Sequence, residues 1–163
     1  MPKVRPAAPS GQELPAQVLR RFRVVFNAVR SHFHQVEQQT GLGGAQVWAL
    51  DLIRRVPDIG VGELARRMDI HQSTASNLVK ALQRRELVVT ARSAQDKRSV
   101  QLRVTPAGKA VLARVVGPFE GVLPSALGEL PPDTLSRLDH DLGELIRLLK
   151  ADEAAGGVPL AQL

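Results

Sequence analysis

Residues 61–84 contain two short amphipathic patterns in close succession, and this succession limits the folds that the chain can adopt. Gly60 precedes the first pattern as a permissive N-cap, and Glu63 stands in its first turn, where a carboxylate favours the helix dipole. The apolar positions are Leu64, Ala65 and Met68 in the first pattern, and Ala75, Leu78, Val79 and Leu82 in the second. Two short helices joined by so tight a turn predict a helix-turn-helix.

A β-hairpin is predicted directly after the second helix. Residues 87–90 form a short β-type run, and residues 99–105 alternate between apolar and polar side chains. In the second run Val100, Leu102 and Val104 share one face, while Gln101 and Arg103 share the other. The residues between the runs, 91–98, are polar and basic, so we expect a hairpin with a charged tip.

Longer helical patterns flank this region. Before the helix-turn-helix, a helix is expected over residues 45–55, and Pro57 prevents it from continuing. Thr105 and Pro106 are a strong helix start, and Pro118 and Pro124 are expected to kink or divide the helix that follows. The N-terminal helix has one apolar stripe, ended by glycines at 41, 43 and 44, and formed by Val18, Phe22, Val25, Phe26, Val29, Phe33 and Val36.

A heptad-like leucine seam follows Pro132 and predicts a helix that pairs with another helix. The seam consists of Leu135, Leu138, Leu142, Leu145 and Leu149. The fold expected is mostly α (α+β), a winged helix-turn-helix with N- and C-terminal dimerisation helices. Its predicted regions are a mobile arm (1–13), N-terminal helices (14–56), the winged helix-turn-helix (57–105), C-terminal dimerisation helices (106–150) and a fraying tail (151–163).

The positive charge is concentrated in the middle of the chain. Residues 64–103 hold nine Lys and Arg against three Asp and Glu, which equals the net charge of +6 of all 163 residues. Such a field points to a polyanionic partner. The absence of Cys excludes disulfides and thiolate metal sites. No apolar run approaches the roughly 20 residues of a membrane helix, and residues 1–11 lack the apolar core of a secretory signal, so we expect a cytoplasmic protein.

A helix-turn-helix followed by a basic hairpin is a DNA-binding arrangement. The second helix of the helix-turn-helix would present its polar face to the major groove, whose width admits one helix. The hairpin would reach the minor groove or its phosphates. Gln and Asn side chains can bond adenine, whereas Ser and Thr can bond phosphates or base edges. The predicted DNA-binding residues are Gln72, Ser73, Thr74, Ser76, Asn77, Lys80 and Arg84 in the helix, and Arg92, Lys97 and Arg98 in the wing.

Three stretches of the chain, residues 61–68, 72–82 and 96–108, resemble the multiple-antibiotic-resistance regulator (MarR) family. The most specific part of the resemblance is the wing element formed by Asp96 and Arg98, followed by a strand that ends in Thr105 and Gly108. The resemblance covers roughly residues 61–112. The flanking helices agree with the family in order and length.

The resemblance implies a homodimer whose first and last helices interlock, bound to a pseudo-palindromic operator, usually as a repressor. It implies that Asp96 and Arg98 form a structural ion pair in the wing, that Lys97 lies near the tip, and that Arg92 contacts the DNA backbone. Many members release DNA when a small phenolic or anionic ligand binds between the dimerisation helices and the winged domain. The candidate effector-pocket residues here are His32, Trp48, Asp51 and Arg55.

Three residues depart from the family pattern. His71 stands where Ser commonly caps the recognition helix, and it is a weaker cap. Glu86 replaces a usual Gly after that helix, and since Glu tolerates a left-handed turn poorly, we expect the helix end to be shaped differently. Lys97 replaces a frequent Arg and is only a point charge. These departures concern operator specificity rather than the fold.

The sequence supports four alternatives to this interpretation less well: a metal site, an enzyme, a non-specific nucleic-acid binder and a protein-binding winged helix. His32 and His34 point away from each other on a helix, so these histidines, with His71 and His140, do not predict a metal site, and no cofactor is expected. Residues 139–141 (Asp-His-Asp) lack a nucleophile and an oxyanion motif, so no enzyme is expected. A non-specific or architectural nucleic-acid binder stays open as the alternative. A winged helix that binds only proteins is disfavoured by the polar recognition face.

Overall fold

The computed structural model describes residues 13–92 and 100–162 of the chain. Within these ranges it is mostly helical with a two-stranded antiparallel sheet, as expected from the sequence. The helices are α1 (Glu13–Thr40), α2 (Gly44–Arg55), α3 (Val61–Met68), α4 (Gln72–Arg84), α5 (Pro106–Leu112), α6 (Val122–Gly128) and α7 (Pro132–Leu149). The strands are β1 (Val88–Arg92) and β2 (Val100–Val104), and two short 3-10 helices cover Glu153–Gly157 and Leu160–Gln162.

The helix-turn-helix formed by α3 and α4 shares one hydrophobic core with α2 and the hairpin. Leu50 of α2, Leu64 of α3, Leu82 of α4 and Leu102 of β2 are all fully buried in it. The predicted limits of these helices are close to those observed, and Gly60 is the N-cap of α3 as predicted. The apolar periodicity of this region therefore fixes which faces turn inward.

The hairpin pairs Val88 with Val104 and Arg92 with Val100. The backbone of Leu102 also donates a 2.9 Å hydrogen bond to the carbonyl of Ile59, which ties β2 to the loop before α3. The predicted first strand, residues 87–90, is displaced: β1 begins and ends later. The predicted shared face of β2 is only partly correct, because Leu102 is fully buried whereas Val100 is 48% exposed where the strand leaves the body.

Thr105 and Gly108 join the start of α5 to the end of α4. The Thr105 hydroxyl accepts from the Gly108 backbone N–H at 3.1 Å, as an N-cap should, and donates to the Glu86 carbonyl at 2.8 Å. Gly108 is packed so closely that a Cβ there would lie 2.5 Å from the Leu87 carbonyl oxygen and 2.7 Å from a Val104 methyl carbon. The Thr-x-x-Gly element therefore fixes the contact between the start of α5 and the turn that follows α4.

The end of α4 corrects one expectation. Glu86 adopts the left-handed conformation with φ of 58°, so the helix does end in the turn that a Gly would favour. The Glu86 N–H bonds the Gln83 carbonyl at 2.9 Å, and the Leu87 N–H bonds the Leu82 carbonyl at 3.0 Å. This hydrogen-bond pattern and the burial of Leu87 hold Glu86 in a conformation that disfavours its side chain.

We predict that Glu86→Gly raises the free energy of unfolding by about 1 kcal/mol, because Gly adopts this conformation without a Cβ clash. Glu86→Ala keeps the Cβ and is the matched control, with no comparable gain. Urea unfolding at one fixed protein concentration measures both variants. Equal stabilisation by Gly and Ala would contradict the explanation from backbone strain.

The C-terminal helix is divided, as predicted, but at a different place. α5 ends at Leu112, well before Pro118, which was the expected break. The chain turns there because Val115 is buried and Phe119 packs against the core, while the Pro118 carbonyl lies 3.1 Å from the His32 ring Nε2. Pro124 does not break a helix, because it lies in the first turn of α6.

The helices at the two ends of the chain leave apolar surface uncovered. No residue of α7 is buried, and Leu135 and Leu149 of its seam are 39% and 67% exposed. In α1 the predicted stripe is buried only at Val29 and Val36, whereas Phe26 is 57% exposed. In the described part of the chain, no helix has the length and hydropathy needed to cross a membrane.

The expectation that residues 151–163 fray is wrong for the described residues, 151–162. Pro159 is buried, Ala161 packs against the core, and the Leu160–Gln162 helix contacts α1 and α2. Residues Val158 to Ala161 pack there because they are apolar. The glycines at 156 and 157 had indicated a flexible tail instead. Glu13, assigned to the predicted arm, begins α1, and residues 1–12 lie outside the description.

Candidate nucleic-acid interface

Helix α4 has one apolar face and one polar face, and the polar face is directed outward. Its buried residues are Ala75, Leu78, Val79 and Leu82. Among the predicted contact residues Gln72, Ser73, Asn77, Lys80 and Arg84 are exposed, and Thr74 and Ser76 are half-buried. Within residues 13–92 and 100–162, none of these seven side chains has a hydrogen-bond or ion-pair partner, so all can bind an external group.

The charge of this face favours an anionic partner. α4 has no acidic residue, and Lys80 and Arg84 lie one helical turn apart on its exposed side. On the preceding helix, Glu63 pairs with both Arg66 and Arg67, and hydrogen bonds from Arg67 and then Arg66 lower the pKa of the Glu63 carboxyl. Lys80 and Arg84 are therefore cations with no acidic partner among the described residues.

Each end of α4 is held by a contact that the sequence did not predict. At the start, His71 makes no capping bond from its side chain, in line with its being a weak cap; its ring Nε2 lies 3.0 Å from the Ala154 carbonyl. At the other end, Arg85 donates a 2.6 Å hydrogen bond to the carbonyl of Gly41, at the end of α1. Both contacts join residues distant in sequence, which no local pattern signals.

The base of the wing is fixed by an ion pair between Asp58 and Arg103. The Arg103 Nε lies 2.5 Å from an Asp58 carboxylate oxygen, and this hydrogen bond lowers the pKa of Asp58. Asp58 has φ of 68°, so the loop before α3 makes a left-handed turn beside β2. This pair was missed in the sequence because its partners are 45 positions apart.

The predicted wing contacts fall outside the described part of the chain. β1 places the backbone of Arg92 opposite Val100, but the side chain of Arg92 is not described. Residues 96–98, which include Asp96, Lys97 and Arg98, are not described either. Their roles in the wing and in DNA binding stay predictions.

Two of the candidate effector residues are engaged with neighbouring side chains. Asp51 is buried, and its carboxylate lies 2.5 Å from the Arg54 Nη2 and 2.7 Å from the Arg55 Nε. The Arg55 guanidinium also lies 5.9 Å from the centroid of the Phe119 ring. An anion would have to compete with Asp51 for Arg55.

The other two candidates lie nearby but not in one pocket with them. Trp48 is half-buried and lines a cavity of about 120 Å³ with Phe33, Gly121 and Pro159. His32 is half-buried against the Pro118 carbonyl and the Phe33 ring. Among the described residues, the cavity beside Trp48 is not lined by His32, Asp51 or Arg55, and effector binding by these four residues stays a prediction.

The remaining histidines form no metal cluster with other described residues. Among the described residues there is no group of three or more His, Asp or Glu side chains placed to hold a metal ion. His34 bonds the Gln38 amide at 3.0 Å, and His140 lies 3.8 Å from Glu144.

Comparison with known proteins gives the same architecture. Residues 40–99 match the family model described as the MarR family. The chain is 19% identical over 144 residues to the HTH-type transcriptional repressor MdtR of Bacillus subtilis (strain 168), which covers 88% of this chain and 93% of MdtR.

Two solved structures are similar in fold. The S. aureus MepR–DNA complex has a TM-score of 0.55 and 18% identity, covering 82% of this chain and 97% of MepR. Bordetella bronchiseptica BpsR has a TM-score of 0.53 and 24% identity, covering 85% of this chain and 97% of BpsR. The family model covers α2 to the wing, and these structures extend the likeness to the flanking helices. Residues 40–99 are therefore similar to the MarR family, and the chain as a whole shares the fold of these two structures.

Proposed function

We propose that this protein is a sequence-specific DNA-binding transcriptional regulator that acts as a homodimer on a pseudo-palindromic operator. The observation that carries the proposal is the unpartnered polar face of α4, from Gln72 to Arg84, opposite a fully apolar face. A helix with this division can stay packed on the domain while its outer side chains bond base edges and phosphates.

The uncovered apolar surface supports a homodimer. The N-terminal half of α1 exposes Phe26, Val25 and Val18, and the leucine seam of α7 is incompletely covered. Surfaces of this kind on a monomer mark association sites, and a seam with heptad spacing fits a second helix. Pairing would set the two α4 helices about one DNA turn apart, roughly 34 Å.

Relatives support DNA binding and a repressor role with a small-molecule effector. MdtR is a transcriptional repressor, MepR has been solved as a DNA complex, and BpsR is described through regulation of its DNA binding by 6-hydroxynicotinic acid. We therefore propose that residues 57–105 bind DNA, that residues 14–56 and 106–150 form the dimer, and that the protein represses transcription until a small anionic or aromatic ligand binds.

The test is selection of bound sites from random duplex DNA, followed by titration of the selected site and a scrambled duplex of equal length. We expect the selected site to be a pseudo-palindrome and to bind at least about a thousandfold more tightly at physiological salt. Equal affinity for the two duplexes would contradict specific regulation and favour the architectural alternative. Light scattering of the free protein and of the complex measures whether two copies bind one site.

A further inference from the structure

Residues 151–162, here called the strap, run from the end of α7 back across the winged helix-turn-helix. Lys150 ends α7 in the left-handed conformation with φ of 52°, which turns the chain around. Beyond it, Asp152 caps the first 3-10 helix by accepting from the Ala154 N–H at 2.9 Å. At the far end Pro159 is buried and Ala161 packs on the core, so the strap is anchored there.

The middle of the strap is attached to the residue that precedes the recognition helix. The His71 backbone N–H donates to the Gly157 carbonyl at 3.2 Å, and the His71 ring Nε2 lies 3.0 Å from the Ala154 carbonyl. Gly157 lies directly on this ring: a Cβ there would be 2.5 Å from Nε2 and 2.7 Å from Cδ2. A side chain at 157 would therefore have to displace the His71 ring from its present position beside the Ala154 carbonyl.

The strap also changes the charge beside the start of α4. Gly157 lines one groove together with Gln72 and Arg66. The strap has no basic residue, and its two charges, Asp152 and Glu153, are both exposed. A helix N-terminus otherwise favours phosphate through its backbone N–H groups and dipole. Asp152 and Glu153 directly precede Ala154, whose carbonyl lies 3.0 Å from the His71 ring, so the strap brings negative charge and backbone carbonyls toward this end of α4, where they oppose a DNA backbone.

We propose that the strap is an autoinhibitory contact, which lowers DNA affinity while it is attached to His71 and must leave the start of α4 for the tightest DNA complex. This inference rests on the proposed DNA-binding function. It adds a control element outside the dimer helices and the wing, and it acts at the end of α4 where Gln72 and Ser73 would meet the duplex.

A pair of adjacent glycines provides the test in the full chain. Gly157→Ala places a methyl group against the His71 ring and should detach the strap, whereas Gly156→Ala meets no atom within 4 Å and is the matched control. Neither glycine has a positive φ, so the backbone accepts both changes. Fluorescence anisotropy with the selected duplex measures affinity, and hydrogen exchange of the His71 amide measures attachment.

We expect Gly157→Ala to bind the duplex about three- to tenfold more tightly, because two negative charges move away from a helix N-terminus. Gly156→Ala should bind as the unsubstituted protein does. His71 exchange should become faster only in Gly157→Ala. The double variant Asp152→Asn, Glu153→Gln keeps the strap in place and should also gain affinity, with a smaller gain at high salt.

Three results would overturn the proposal: weaker binding by Gly157→Ala, unchanged binding despite faster His71 exchange, or unchanged His71 exchange. Failure of the proposed function looks different, because then neither the unsubstituted protein nor any variant prefers a selected duplex.

Discussion

Gly108→Ala is expected to lower the free energy of unfolding by about 2–3 kcal/mol, the cost of forcing extra volume into a packed site. Gly→Ala inside a helix is ordinarily stabilising by about 0.5–1 kcal/mol, so the expected sign is reversed. The reason is that the new Cβ would lie 2.5 Å from the Leu87 carbonyl oxygen, which also accepts the Thr105 N–H. The backbone of Leu87 must therefore move, which disturbs the contact of α5 with the turn after α4.

Gly62→Ala is the control for this variant. Gly62 is also helical, in α3, and a Cβ there meets no atom within 4 Å, so the ordinary gain should appear. Urea unfolding of both variants at the same protein concentration gives the comparison. If Gly108→Ala were as stable as Gly62→Ala, the close packing of Gly108 on Leu87 and Val104 would be refuted.

Lys80→Ala combined with Arg84→Ala is expected to weaken DNA binding about tenfold to a hundredfold at physiological salt, for every duplex sequence alike. The two side chains are exposed and unpartnered within the described residues, one turn apart on α4. If each neutralises one phosphate, the slope of log affinity against log salt should become shallower by about two. Titrations at several salt concentrations measure both quantities.

A control variant that removes two positive charges outside the winged helix-turn-helix distinguishes direct contact with DNA from a general effect of net charge. Arg23 and Arg114 are exposed residues outside the winged helix-turn-helix, and Arg23→Ala with Arg114→Ala lowers the net charge equally. This control should change the salt slope little. A control that weakened binding as much as the α4 variant would mean that net charge, rather than this helix face, holds the DNA.

The helix-turn-helix was predictable because its signals are local. Leu64, Leu78 and Leu82 follow the helical period and face one core, and Gly60 and Pro57 mark the boundaries. Burial of one face leaves the other to solvent, so the orientation of the candidate DNA-binding residues of α4 could be inferred as well. The Thr105 cap and the need for glycine at 108 were visible as a motif, though their cause was not.

The errors lie where contacts between distant residues decide the local structure. α5 ends at Leu112 because Val115 and Phe119 turn into the core, although no Gly or Pro stands at that point. Glu86 is held left-handed by the hydrogen bonds around it, against its own preference. The strap was assigned to a fraying tail because its glycines were visible, whereas the fit of Gly157 on His71 was not.

The central claim is that the outer face of α4 lies in a DNA groove, and the absence of Cys makes a direct test simple. A single Asn77→Cys protein is labelled with a short photocrosslinker and irradiated with the selected duplex; Val116→Cys, 95% exposed in the segment after α5, is the reference. We predict efficient crosslinks from position 77 to bases within the selected site and few from position 116. Crosslinks from 116 but not from 77 would show that another surface meets the DNA.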